Sequence, residues 1–151
     1  MILKKLISVL KTWLVEHGNW PFYAKKLLSS PEQALYFKLC RVFPEYIIFS
    51  QVSLSRILGV KKGYNNYSWN NRISRMSADF VICEKDFSVL AVIELDDKSH
   101  LMQSRIKADR KKDKVITDAG LKIVRWQLNK MPDEAEMKSS VVNITQSTPR
   151  L

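Results

Sequence analysis

ADFVICEKDFSVLAVIELDDKSH, residues 78–100, contains two apolar runs separated by a polar break. Ala78 to Cys83 and Val89 to Asp96 have the β-branched and aliphatic composition of strands, and Glu84-Lys85-Asp86 between them marks a turn, so the pair reads as an antiparallel hairpin. The second run is apolar on both faces and is expected at the centre of a sheet. Alternation along it projects Glu94 and Asp96 from one face, about 6.6 Å apart along the backbone. Reflecting Asp79 through the hairpin midpoint near residue 86 brings it to within about one residue of Glu94. Three carboxylates are therefore expected to converge at one end of the sheet.

Like charges buried beside Phe80, Val92 and Ile93 are driven toward neutrality unless a cation offsets them. A hard divalent ion resolves this, and Mg²⁺, with Mn²⁺ as a substitute, is satisfied by two or three carboxylates and its own waters. Asp79, Glu94 and Asp96 are thus the candidate metal ligands, and hydrolysis of a phosphodiester is the chemistry such a site performs. The alternative is a structural salt-bridge network. If the chain stays extended past Asp96, Lys98 and His100 share the same face, where a lysine stabilises developing charge and a histidine handles protons. A polar turn with a capping histidine is the competing reading.

Working outward, residues 103–119 form a helix closed by Gly120, and Leu121 to Trp126 a last strand. The right-handed crossover rule makes that strand parallel to the one ending at Asp96. Ala108, Lys112, Val115 and Ala119 fall on one helical stripe, so Lys112 either snorkels to solvent or reaches the carboxylates. Upstream, Ser30-Pro31-Glu32-Gln33 opens a helix from Pro31 to Val42, Tyr46 to Val52 reads as a strand, and Leu54 to Leu58 as a short helical turn. Residues 55–77 read as a long loop carrying Arg56, Lys61, Lys62, Arg72 and Arg75, with Tyr64, Tyr67 and Trp69, and no acid. Cations beside rings suit phosphate contact with base stacking; a solvated loop whose rings pack locally is the alternative. Lys61, Lys62, Tyr67, Trp69, Arg72 and Arg75, with Arg105 and Arg110 of the helix, are the candidate nucleic-acid contacts.

The 151 residues suffice for one core, and 25 Lys+Arg against 15 Asp+Glu, a formal +10, suit a polyanionic partner. Scattered glycines disfavour a phosphate-binding loop. Cys40 and Cys83 lack ligand spacing and read as buried free thiols of a reducing, cytoplasmic setting. Residues 1–24 form an amphipathic helix and connector in which Lys4, Lys5 and Lys11 interrupt the apolar positions. That pattern fits neither a signal peptide nor a membrane span, and is expected to pack on the domain or on a second copy, with a membrane surface as the alternative. The main domain is expected over 28–130 and a polar tail over 131–151, fraying from about Ser139.

SSPEQALYFKL, FSQVSL, NRISRMSADFVICEKDFSVLAVIELDDKSH, Asp109, Asp113 and AGLKIVRW together resemble a bacterial family of the PD-(D/E)XK, or restriction-endonuclease-like, superfamily, and are more distantly similar to very-short-patch-repair endonucleases. The resemblance implies an α/β fold with an αβββαβ core, a mixed sheet flanked by helices, here preceded by an extra amphipathic helix. It implies a Mg²⁺-dependent DNA endonuclease in which Asp79 and Glu94 are the first and second acids. Where the usual motif has lysine, this chain has Asp96, so Lys98 or Lys112 would have to substitute. Glu32 matches an acid that borders such sites. A catalytically inactive nucleic-acid-binding module and a membrane-surface or protein-interaction factor led by the first helix are the competing functions. Cutting both strands would call for a homodimer or two encounters.

Overall fold

The computed structural model describes residues 2–18, 20–96 and 103–142. Its elements are α1 (Ile2–His17), α2 (Ser30–Val42), β1 (Ile47–Ser53), α3 (Leu54–Ile57), α4 (Asn66–Ile73), β2 (Ser77–Cys83), β3 (Val89–Asp96), α5 (Gln103–Asp118), β4 (Lys122–Gln127) and α6 (Glu134–Val142). The sheet runs β1-β2-β3-β4, antiparallel at its first two junctions and parallel between β3 and β4. The expected hairpin, the central place of Val89–Asp96 and the parallel crossover are all present. Gly120, at φ +77°, ends α5 in the left-handed conformation that the sequence anticipates.

Strand parity divides the core in two. Phe80, Ile82, Ala91, Ile93 and Trp126 pack with α2 and α6 through Leu35, Leu39, Met137 and Val141. Val81, Cys83 and Val92 meet Ile116 of α5, Leu54 of α3 and Ile73 of α4 on the opposite face. Residues 79, 94 and 125 share parity with this second set, which aims them at α5.

Several expectations need correction. Residues 55–77 are not one loop: Asn65 caps α4 by accepting from the Ser68 amide at 2.8 Å, and Ile73 buries beneath it. Residues after 131 do not form a loose polar tail as far as Val142. Asp133 and Glu136 cap α6 reciprocally, each side chain accepting from the other's amide, and Met137 and Val141, one helical turn apart, complete the core. Ala108 of α5 and Ala119 just after it are exposed, and Ile116, fully buried, seats that helix. Cys40 is half-buried, and only Cys83 is buried. The capping residue of α2 is Ser29 rather than Ser30, which moves Glu32 to the third helical position.

α1 stands apart from these layers. Leu3, Leu6, Leu10, Trp13 and Leu14 are each more than half exposed, so the expected packing of this helix on the domain does not occur. None of the described helices is long and apolar enough to cross a membrane.

Candidate functional site

The site is built where β2 and β3 meet α5. Phe80 pairs with Ile93, so one step further along the ladder Asp79 stands opposite Glu94. The Asp79 carboxylate accepts from the Leu95 amide at 2.9 Å, which ties it to β3 where the regular pairing stops. Glu94 is 4% exposed, the one charged residue buried in the core of the described chain. Lys112, reaching across from α5, donates to its Oε2 at 2.5 Å. Its Oε1 is buried with no hydrogen-bond partner among the described residues. A buried carboxylate oxygen left unbonded forfeits its hydration without replacement, so it marks a place where another group belongs.

The electrostatics are those of acids held against their preference. Burial pushes the Asp79 carboxyl above the ordinary carboxylate range; the Leu95 amide and Lys112 oppose the push, while Glu32 and Asp96 add to it. Burial likewise raises Glu94, against the hydrogen bond and charge of Lys112, with the Asp79 charge adding to the rise. Asp79 therefore feels the charges of Glu32 and Asp96, Glu94 feels that of Asp79, and Lys112 acts on both Asp79 and Glu94.

Asp96 has a different partner. Arg125 of β4 donates to it at 2.8 Å and to Asp113 of α5 at 2.7 Å, with Asp109 at 3.7 Å. Burial opposes the Arg125 charge, but the hydrogen bond to Asp113 and the charges of Asp96, Asp113 and Glu94 outweigh it and hold the guanidinium above its ordinary pKa. This cluster clamps α5 to the sheet and engages Asp96 with Arg125. Among the described residues no three acids, histidines or cysteines gather closely enough to hold a metal ion. Asp79 and Glu94 nonetheless fit a hard cation as a two-carboxylate site, because one oxygen of Glu94 is spare and Mg²⁺ needs only one or two protein carboxylates beside waters and substrate oxygens.

Glu32 borders the pocket from α2. Its Oε2 accepts from the Ser29 amide and hydroxyl, and its Oε1 from the Gln51 side-chain amide at 2.8 Å. Gln51 stands opposite Asp79 in the β1–β2 register, since Ser50 pairs with Phe80 and Val52 with Ala78. Its φ of +53° is the left-handed region, a costly conformation for glutamine, and it turns the side chain toward Glu32.

Of the sequence-derived site residues, the fold brings together Asp79, Glu94, Lys112 and Glu32, with Asp96 adjacent but held by Arg125. Lys98 and His100 lie outside the described residues. Lys112 reaches the carboxylates rather than snorkelling away from them. Arg72 lies over the Trp69 ring at 4.4 Å and Tyr64 meets the same ring edge-on, so two of the three aromatics of this segment pack locally. Tyr67 is 79% exposed, and Lys61, Lys62, Arg75 and Arg110 are exposed as well. Lys111 donates to the Arg72 carbonyl at 3.0 Å, which joins α4 to the helix that carries Lys112; Arg105 lies two turns earlier in that helix. Arg125 and Gln51 are the residues that sequence reasoning missed. Arg125 had a signal, an arginine inside the apolar run KIVRW in register with Glu94, whereas nothing in FSQVS announces a left-handed glutamine.

The fold and site define a small α/β sheet domain with a carboxylate pair, Glu94 buried and Asp79 half-buried, beneath a lysine-bearing helix. The family described as Protein of unknown function (DUF2726) matches residues 24–144, from ahead of α2 to the end of α6, and the chain belongs to it. No curated protein and no solved structure matches the chain.

Proposed function

We propose that this chain is a divalent-metal-dependent DNA endonuclease on a restriction-endonuclease-like αβββαβ core. The observation that carries the reading is Glu94: a buried carboxylate facing Asp79, with one oxygen held by Lys112 and the other unbonded among the described residues. Mg²⁺ or Mn²⁺ held by Asp79 and Glu94 supplies charge neutralisation on a phosphodiester and a bound water of lowered pKa. The chain's own residues do the rest. Lys112 opposes the effect of burial on Glu94 and supplies the positive charge that the usual motif lysine would bring, standing in for the lysine absent at position 96. Glu32, fixed by Ser29 and Gln51, adds negative charge beside Asp79 and strengthens its hold on a cation. The exposed Lys61, Lys62, Arg75 and Arg110 grip backbone phosphates, and Tyr67 offers a ring for a base.

Relaxation of supercoiled plasmid is the test. The wild type is expected to nick it with Mg²⁺ or Mn²⁺ and not with a chelator, and Asp79→Ala to abolish nicking while keeping the fold. Equal activity in that variant defeats the reading. One observation favours a second function: Lys112 on Glu94 and Arg125 on Asp96 offset charge without an ion, as a nucleic-acid-binding module lacking catalysis would need. In that case DNA binding falls steeply with salt, needs no divalent ion, and is not followed by relaxation.

A further inference from the structure

α1 is the largest feature of the chain that the nuclease reading leaves without a role. At helical spacing Val9, Trp13, Leu6, Leu10, Leu14 and Ile7 fall within an arc of about 160°, and each is 48% exposed or more. Lys4, Lys5, Ser8, Lys11 and Thr12 occupy the opposite arc, and among the described side chains only Val15 and His17 break the division. Apolar exposure continues past the helix into Trp20, Phe22 and Tyr23, followed by Lys25 and Lys26. Monomeric proteins seldom leave a contiguous apolar surface of this extent in water.

Two properties choose the occupant. Residues 3–26 carry Lys4, Lys5, Lys11, Lys25 and Lys26 against Glu16 alone. Apposing the same segment from a second copy would bring like charges together, whereas an anionic lipid surface offsets them. The helix is also too short and too charged on one face to span a bilayer, yet it has the aromatic and aliphatic face and lysine-rich back of a helix lying in the headgroup plane. We infer that α1 and the aromatic segment after it dock the protein on an anionic membrane surface, leaving the sheet domain, with its carboxylate pocket, facing the aqueous phase.

Flotation of the full chain with vesicles tests this. Binding is expected to vesicles containing phosphatidylglycerol, to weaken as salt rises, and to be much weaker to pure phosphatidylcholine. Because the other basic surfaces could also attract anionic lipid, Leu10→Asp is the deciding variant: losing one buried leucine is expected to weaken binding roughly tenfold or more. Its thermal unfolding should match the wild type, since α1 lies off both cores. A Trp13→Phe variant assigns the expected blue shift of tryptophan emission on vesicles. Wild type that stays with the aqueous fraction overturns the inference, as does equal vesicle binding by Leu10→Asp, or a solution dimer that Leu10→Asp dissociates without any vesicle binding by the wild type.

Discussion

Replacing Lys112 by methionine removes the only cation among the described residues that the buried Glu94 touches, while keeping a side chain of similar length. Side-chain exposure is 15% for Lys112 and 6% for Glu94, so little solvent screening is available to the carboxylate left behind. Breaking a buried pair from one side costs about 3–5 kcal/mol, a large part of the roughly 5–15 kcal/mol that holds a domain together. The sign with pH follows from linkage. Glu94 already has a raised folded-state pKa, chiefly from burial, and losing Lys112 raises it further. A raised carboxyl contributes stability below its unfolded pKa and loses it as pH rises through the folded value. The deficit of Lys112→Met should therefore be full at neutral pH and shrink as the solution is acidified toward the ordinary glutamate range. Urea unfolding of wild type, Lys112→Met, Glu94→Gln and the double variant across that pH range measures it. The double variant should recover most of the loss, because it carries neither charge. A pH-independent deficit, or losses that simply add, would refute the electrostatic account of this pair.

Related outcomes follow at neighbouring positions. Asp79→Asn removes a carboxyl that burial disfavours, so stability at neutral pH should be retained or increased and its decline from acid toward neutral pH flattened, as thermal melts would read. Arg125→Met frees Asp96 and Asp113, and amide hydrogen exchange in α5 should accelerate while exchange in α2 does not change. Ile116→Ala empties the seat of the same helix and should cost about 2–5 kcal/mol in urea unfolding. Gly120→Ala meets no atom within 4 Å, so its cost is backbone strain alone, about 1 kcal/mol.

How much of this was legible beforehand varies from element to element. The hairpin could be read because Ala78–Cys83 and Val89–Asp96 are apolar runs with one polar break, and alternation then fixed the common face of Asp79 and Glu94. Lys112 was visible as a polar interruption, but the stripe drawn through Ala108 and Ala119 was displaced from the true seat at Ile116, since α5 carries few apolar residues from which to locate a face. α4 escaped because asparagine, serine and aromatics are weak helix formers, and it stands on one cap and one buried isoleucine. α6 escaped although its Asp133…Glu136 box was present, because only Met137 and Val141 separate it from a solvated tail. The fate of Asp96 could not be deduced from parity. Alternation gives the face, but whether an acid turns into a pocket or toward an arginine depends on β4, which pairs with β3 only through a crossover.

Direct titration with Mn²⁺, followed by electron paramagnetic resonance, tests the pocket itself. The wild type should take up the ion with an affinity that rises as pH increases through the elevated carboxyl range of Asp79 and Glu94, and Glu94→Gln should lose that uptake. No uptake by the wild type, or undiminished uptake by Glu94→Gln, would contradict a spare Glu94 oxygen reserved for a cation.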